Sequence, residues 1–109
     1  MLVIPFRTGK RTYACALKFG KYDNGRTTIL LVDHINMEPL CKATVNIPEI
    51  SLGDNEVIIK DYAENKGVLS SLSMHGIISV WKKEIQVGFV KVYVCDLLVD
   101  PTSKMFYQY

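Results

Sequence analysis

The side chains best suited to catalysis or binding are concentrated in one polar string, residues 60–67. The string holds a cation, two carboxylates, a phenol and an amide, contributed by Lys60, Asp61, Glu64, Tyr62 and Asn65. Two carboxylates at this spacing could act as a general acid and base, but the same spacing is ordinary at the start of a helix, where carboxylates accept unpaired backbone N–H groups. The string therefore favours helix capping. It leaves open a partner-binding loop formed by these five residues, and an anion site at a helix N-terminus, which the two carboxylates disfavour.

A second group of candidate residues is basic and lies in the first third of the chain. Residues 1–30 carry six Lys and Arg side chains against one Asp, a balance of +5, whereas the whole chain is only +2. Basic side chains interleaved with aromatic ones could bind nucleic acid or an anionic nucleotide, since phosphates attract cations and bases stack on rings. Alternation, however, places Tyr13 and Phe19 on the apolar face of their strand. The anion-binding alternative uses Lys10, Arg11, Lys18, Lys21 and Arg26.

Other chemistries lack their usual spacing in this sequence. The two histidines, His34 and His75, are 41 positions apart. The three cysteines, Cys15, Cys41 and Cys95, are odd in number and widely spaced, which favours neither a disulfide framework nor a zinc site. The sequence contains no glycine-rich phosphate-binding motif and no metalloprotease motif. We therefore expect buried free thiols, no metal, no cofactor and no catalytic activity.

The strands that would position these residues are indicated by alternating apolar and polar side chains. A chain of 109 residues, 49% of them apolar, suits one domain covering residues 1–109. Asn24-Gly25 is a hairpin turn signal because both residues accept the positive φ of a tight turn. The predicted strands are a short edge strand at 2–6, an antiparallel meander at 11–19, 26–33 and 40–47, and then 56–60, 77–81 and a long strand at 85–98.

The apolar period changes after residue 60 and predicts one short helix at about residues 65–75, with Gly76 as its left-handed end residue. The expected fold class is α+β: a mainly antiparallel, curved β-sheet of about six to seven strands with this helix packed on one face. One helix covers one face only, so the other face must meet solvent, curl, or pair with a second copy in a homodimer. Residues 100–109 form an aromatic tail that either docks or frays.

A set of motifs runs through residues 10–98, and its most specific part is I-K-D-Y-x-E-N-x-G at residues 59–67. The set also contains Asn24-Gly25-Arg26, the segment 43–48 and Gly88-Phe89-Val90. These motifs resemble a family of small uncharacterised bacterial accessory proteins carried by phages and mobile elements, especially of gut Bacteroidales. The resemblance implies a setting, an accessory gene of a phage or conjugative element, and no established activity.

Together these observations predict a small non-catalytic binding protein of a phage or mobile element. It is expected to occlude a host protein, for instance a defence component, through an uncovered sheet face or edge together with residues 60–67. The alternatives are a nucleic-acid-binding accessory protein that uses the basic N-terminal third, and a protein that sequesters an anionic nucleotide signal. No signal-peptide pattern and no membrane-spanning apolar run is visible, so we expect a cytoplasmic protein with no membrane partner.

Overall fold

The computed structural model describes residues 1–109 and contains eight strands and one α-helix. A 3-10 turn, Ala63–Asn65, precedes the helix α1, Val68–Met74. The strands are β1 (Val3–Thr8), β2 (Arg11–Lys21), β3 (Thr27–Asp33), β4 (Pro39–Lys42), β5 (Glu56–Lys60), β6 (Lys83–Val87), β7 (Val90–Asp96) and β8 (Tyr107–Gln108).

The strands form two sheets that are joined through the residues after β4. The first sheet has the order β1-β2-β3-β4, all antiparallel, and β8 lies parallel to the end of β2. The second sheet has the order β5-β7-β6 and is antiparallel. Thr44 pairs with Ile59, so the chain beyond β4 runs alongside β5 and links the two sheets. The predicted α+β class with mainly antiparallel strands is confirmed, although the strands number eight in two sheets.

One core is shared by both sheets, the helix and the tail. It contains 17 buried residues, among them Cys15, Leu17 and Phe19, whose common face was predicted from alternation. The helix contributes Val68 and Leu72, which are spaced for one helical face. Side chains from both sheets therefore meet in this one cluster.

The helix begins three residues later than the sequence suggested. Residues 63–65 form a separate turn, and Lys66 leaves the helical region with φ −55° and ψ 126°. Gly67 then adopts a left-handed conformation with φ 98°, which is costly for any residue with a side chain. The expected helix at about 65–75 is therefore corrected to Val68–Met74, and Gly76 follows it in the predicted left-handed conformation with φ 74°. The protein's single α-helix has seven residues, too few to cross a membrane.

The expectation that the sheet face opposite the helix is uncovered is wrong for the second sheet. A small second core forms there around Ile58, Val92 and Val94. The connection between β4 and β5 covers it with four apolar side chains, Val45, Ile47, Ile50 and Leu52. The Arg26 guanidinium holds this connection in place, because it donates to the carbonyl oxygens of Ile47, at 2.8 Å, and Ile50.

The predicted long strand at 85–98 is a hairpin in the structure. Residues 88–89 form its turn, Gly88 has φ 60°, and Val87 pairs with Val90 across it. A period-two pattern cannot reveal such a reversal when apolar residues continue on both sides of the turn. The strand predicted at 77–81 is likewise reduced to a single bridge between Ile78 and Leu97.

The aromatic tail is docked. Phe106 is 5% exposed and packs edge-on against Phe19, with ring centres 4.9 Å apart. The backbone N–H of Tyr109 donates to the carbonyl oxygen of Phe19 at 2.9 Å, which holds the end of the tail beside β2.

Candidate functional site

The polar string lies between β5 and α1, where Asp61 caps the helix. One carboxylate oxygen of Asp61 accepts the N–H groups of Gly67, at 2.9 Å, and Leu69, at 3.0 Å. Such charge-assisted bonds satisfy backbone donors that have no partner within a helix. The carboxylate of Asp61 is therefore engaged within the protein.

Asn65 is the most buried member of the string, with 1% exposure. Its amide nitrogen donates to the carbonyl oxygen of Lys42 at 2.7 Å and, at 3.4 Å, to that of Lys60. The side chain thus ties the end of β4 to the end of β5. Tyr62 packs on the second core, whereas Glu64 is exposed. Partner binding by the string stays a prediction: Glu64 is exposed and Lys60, Asp61 and Tyr62 are half-buried, with the Asp61 carboxylate already engaged at the helix.

The five predicted anion-binding residues do not come together in one patch. Lys10 and Arg11 lie at the turn between β1 and β2, and Lys21 lies at the far end of β2, about 30 Å away for an extended strand of this length. The Arg11 guanidinium lies 4.5 Å from the ring centre of Tyr13. Arg26 is engaged with the β4–β5 connection. Lys18 and Lys21 remain near each other at one end of the strand.

That end of β2 forms one wall of a polar cleft of about 310 Å³. Its walls come from β2, β3, the segment after β4 and the tail, and are lined by Lys21, Tyr22, Asp23, Thr28, Lys42, Asn46 and Tyr109. The Lys42 ammonium lies 5.5 Å from the ring centre of Tyr22, and the Lys18 ammonium lies 5.0 Å from that of Tyr109. The cleft therefore combines two lysines, Lys21 and Lys42, with two tyrosine rings, and Lys18 lies beside it at the ring of Tyr109.

One buried group at this cleft has no hydrogen-bond partner. Thr28 is 4% exposed, and its hydroxyl oxygen is the one buried side-chain oxygen or nitrogen in the protein without a partner. The Tyr22 hydroxyl, in contrast, is 3.1 Å from the Thr44 hydroxyl. Burial raises the pKa of Tyr22, with a smaller opposing effect of this hydrogen bond, so the phenol stays neutral near pH 7. The cleft thus offers cations and neutral donors.

Tyr109 reaches the cleft because Gly20 leaves room for its ring. A methyl group at Gly20 would overlap that ring. Gly20 pairs with Thr28 in the sheet, and Thr28 and Tyr109 both line the cleft. A glycine within an otherwise regular strand signals a close approach, and this signal could have directed attention to the cleft. Sequence reasoning did not select Thr28, Lys42, Asn46 or Tyr109.

A second unusual surface follows the outer edge of β6. Four of the twelve large apolar side chains that are exposed in the whole protein fall within residues 80–89: Val80, Trp81, Val87 and Phe89. Phe89 is fully exposed at the turn between β6 and β7. The beginning of β6 is anchored by Lys82, which contacts Glu56 at 2.7 Å and Asp96 at 2.9 Å. We call these four residues, together with strand β6, the β6 edge.

The three cysteines are buried free thiols, as the sequence predicted. Burial raises the pKa of Cys15 to about 11 and the pKa values of Cys41 and Cys95 to about 12. His34 and His75 are exposed, and no group of three or more His, Cys, Asp and Glu side chains is placed to hold a metal ion.

We expect the thiols to resist thiol–disulfide exchange with an added reagent in the folded protein. At pH 8 a pKa of about 11 leaves on the order of one thiol in a thousand ionised, and the thiolate is the reactive form. Addition of an aromatic disulfide reagent at pH 8 should therefore label the native protein slowly and label three thiols promptly in guanidinium. Rapid labelling of the native protein would show that at least one thiol is accessible.

Comparison with known proteins gives no match to a family model, to a curated protein or to a solved structure. The structure itself defines the class: an α+β protein with two mainly antiparallel sheets and one short helix around a shared core. Membership in the phage and mobile-element family suggested by residues 59–67 stays a prediction.

Proposed function

We propose that this protein is a non-catalytic binding protein that holds a partner protein at the β6 edge. The observation that carries the proposal is the position of Phe89, a fully exposed aromatic side chain at the tip of a hairpin. Aromatic side chains that become buried in a partner's pocket dominate many protein interfaces. Burying an exposed Phe stabilises a complex by about 1.5–3 kcal/mol, so its exposure favours a binding role.

The strand next to Phe89 supports the same proposal. β6 is the last strand of its sheet, and four of its five residues are exposed. The edge of such a strand can pair with an extended segment of another protein, whose backbone supplies affinity while side-chain pockets supply specificity. Lys83 and Glu84 put charges along this edge, which limits indiscriminate pairing.

The exposed part of the polar string lies at the same end of the second sheet as Phe89. Lys60, the last residue of β5, pairs with Val92, which is two residues beyond the start of β7 at Val90. Glu64 follows in the next turn and is exposed. We therefore extend the proposed interface from the β6 edge to Lys60, Tyr62 and Glu64.

The proposed mechanism is steric occlusion of a host protein. The phage or mobile-element setting rests on the resemblance of the motifs in residues 10–98, of which residues 59–67 are the most specific part. Occlusion requires only tight docking, and a hairpin with one aromatic anchor and a free strand edge supplies both contact types.

The proposal is tested by replacing Phe89 with serine and following a protein retained from host extract by the immobilised chain. We expect retention to fall by about tenfold or more, since a central aromatic anchor contributes on the order of 2 kcal/mol. The melting temperature should stay unchanged, because the side chain is fully exposed.

Ile35→Ser is the matched control for this experiment. Ile35 is 86% exposed in the β3–β4 connection of the first sheet, so its replacement removes a similar apolar surface elsewhere. Equal losses for Phe89→Ser and Ile35→Ser would contradict the proposal. A photo-crosslinking residue at position 89 that labels nucleic acid, or only a second copy of this chain, would also contradict it.

A further inference from the structure

We propose that the cleft at the end of β2 binds the phosphoryl group of a small molecule. This site is separate from the β6 edge, since its walls belong to the first sheet and the tail. The proposal rests on three features of the cleft: unpaired positive charge, neutral hydrogen-bond donors without partners, and a size that suits a small ligand.

The positive charge at the cleft is not neutralised by the protein. Lys82 and Lys91 are the lysines that form ion pairs in this structure, and neither lines the cleft. Lys21 and Lys42, the two lysines that line the cleft, have no carboxylate within 4.0 Å, although the Lys21 ammonium donates to the carbonyl oxygen of Gly25 at 3.4 Å. Asp23 is the one carboxylate that lines the cleft. A phosphoryl group carries about two negative charges near pH 7 and would complement this surplus.

Neutral donors are available beside the lysines. The buried Thr28 hydroxyl has no hydrogen-bond partner, whereas most buried polar groups in native proteins have one. The Asn46 side-chain oxygen accepts a hydrogen bond from the Asn24 amide at 3.0 Å, which orients Asn46 and leaves its own N–H groups unused. An oxyanion with several acceptor oxygens would satisfy both residues together with the Lys21 and Lys42 ammonium groups.

The geometry favours a small molecule over a nucleic-acid strand. The volume of about 310 Å³ is at the lower end of the range for small-molecule sites, which begins at about 300 Å³. The two tyrosine rings are not free platforms for bases, because Lys42 lies over Tyr22 and Lys18 lies over Tyr109. The other basic residues that a strand could follow, Lys10 and Arg11, are at the opposite end of β2.

Titration calorimetry with four probes tests the proposal: inorganic phosphate, adenosine 5′-monophosphate, adenosine and a short oligothymidylate. We expect phosphate and the monophosphate to bind and adenosine not to bind. Lys42→Gln should weaken phosphate binding by about tenfold, as expected for the loss of one charge-assisted contact. Lys10→Gln is the matched control, since it removes the same charge from the far end of β2 and should leave the affinity unchanged.

Thr28→Val separates a binding role from a structural one. It removes the unpartnered hydroxyl and keeps the shape of the side chain, so we expect a higher melting temperature together with weaker phosphate binding. Unchanged phosphate affinity in this variant, equal losses in Lys42→Gln and Lys10→Gln, or no phosphate binding to the unmodified protein would each overturn the proposal. Binding of oligothymidylate alone, with a steep dependence on salt, would overturn it in favour of a nucleic-acid site.

Discussion

Replacing Phe106 with alanine should lower the free energy of unfolding by about 3–4 kcal/mol, because the substitution removes a buried aromatic ring from a packed core. Phe106 is 5% exposed and packs edge-on against Phe19. The loss is a large fraction of the total stability of an ordinary domain, which is about 5–15 kcal/mol. Urea unfolding followed by circular dichroism measures it.

Met105→Ala is the control for this prediction, since Met105 adjoins Phe106 in the tail and is 48% exposed. A loss of stability no greater than that of the control would show that the ring does not hold the tail. Hydrogen exchange gives a second measurement: the Tyr109 amide, which donates to Phe19, should lose protection in Phe106→Ala. Since Tyr109 also lines the phosphoryl cleft, release of the tail should weaken phosphate binding as well.

Replacing Asn65 with alanine should lower the free energy of unfolding by about 2–3 kcal/mol. The substitution leaves the carbonyl oxygens of Lys42 and Lys60 without the amide that donates to them in a buried site. The expected cost is larger than that of an average surface change, because the site is closed to water and no other donor is placed there. Thermal and urea unfolding both measure it.

Glu64→Ala is the matched control, one position earlier in the same turn. Glu64 is exposed and its side chain makes no hydrogen bond, while its backbone oxygen still accepts the Thr8 hydroxyl. The control should therefore stay within about 0.5 kcal/mol of the unmodified protein. A stable Asn65→Ala variant that loses its protein partner would assign Asn65 to the interface and contradict the role argued from its contacts.

These outcomes also decide how the polar string is tested for binding. If Asn65→Ala is destabilised as expected, changes at Asp61 or Asn65 report on stability first. Binding by the string is then measured with the half-buried Lys60 and the exposed Glu64, whose side chains make no hydrogen bonds within the protein.

The sequence predicted those parts of the fold that depend on neighbouring residues, such as strand alternation and tight turns. The apolar face of β2 was visible because Cys15, Leu17 and Phe19 alternate with polar or small residues, and alternation follows directly from strand geometry. The turn at Asn24-Gly25 was predicted because few residue types accept a positive φ, and Gly25 adopts φ 84° in the structure. Gly76 at the end of α1 was visible for the same reason.

The elements that were missed depend on contacts that are distant in the chain or on a break inside a periodic run. The turn at Gly88 divides an apolar run that alternates on both sides of it, so only the pairing of Val87 with Val90 reveals the hairpin. The helix α1 starts later than predicted, after a turn in which the side-chain amide of Asn65 donates to the carbonyl oxygens of Lys42 and Lys60. These two residues lie on different strands.

By itself, the sequence determined the α+β class, the buried face of β2 and the free thiols, because burial and turn formation depend on residue types within a few positions of each other. Only the tertiary structure decided where the candidate sites lie. The cleft exists because sheet pairing sets Gly20 beside Thr28 and the docked tail brings Tyr109 onto Gly20, and the β6 edge exists because the chain reverses at Gly88. Such contacts join residues far apart in the chain, so no local pattern encodes them.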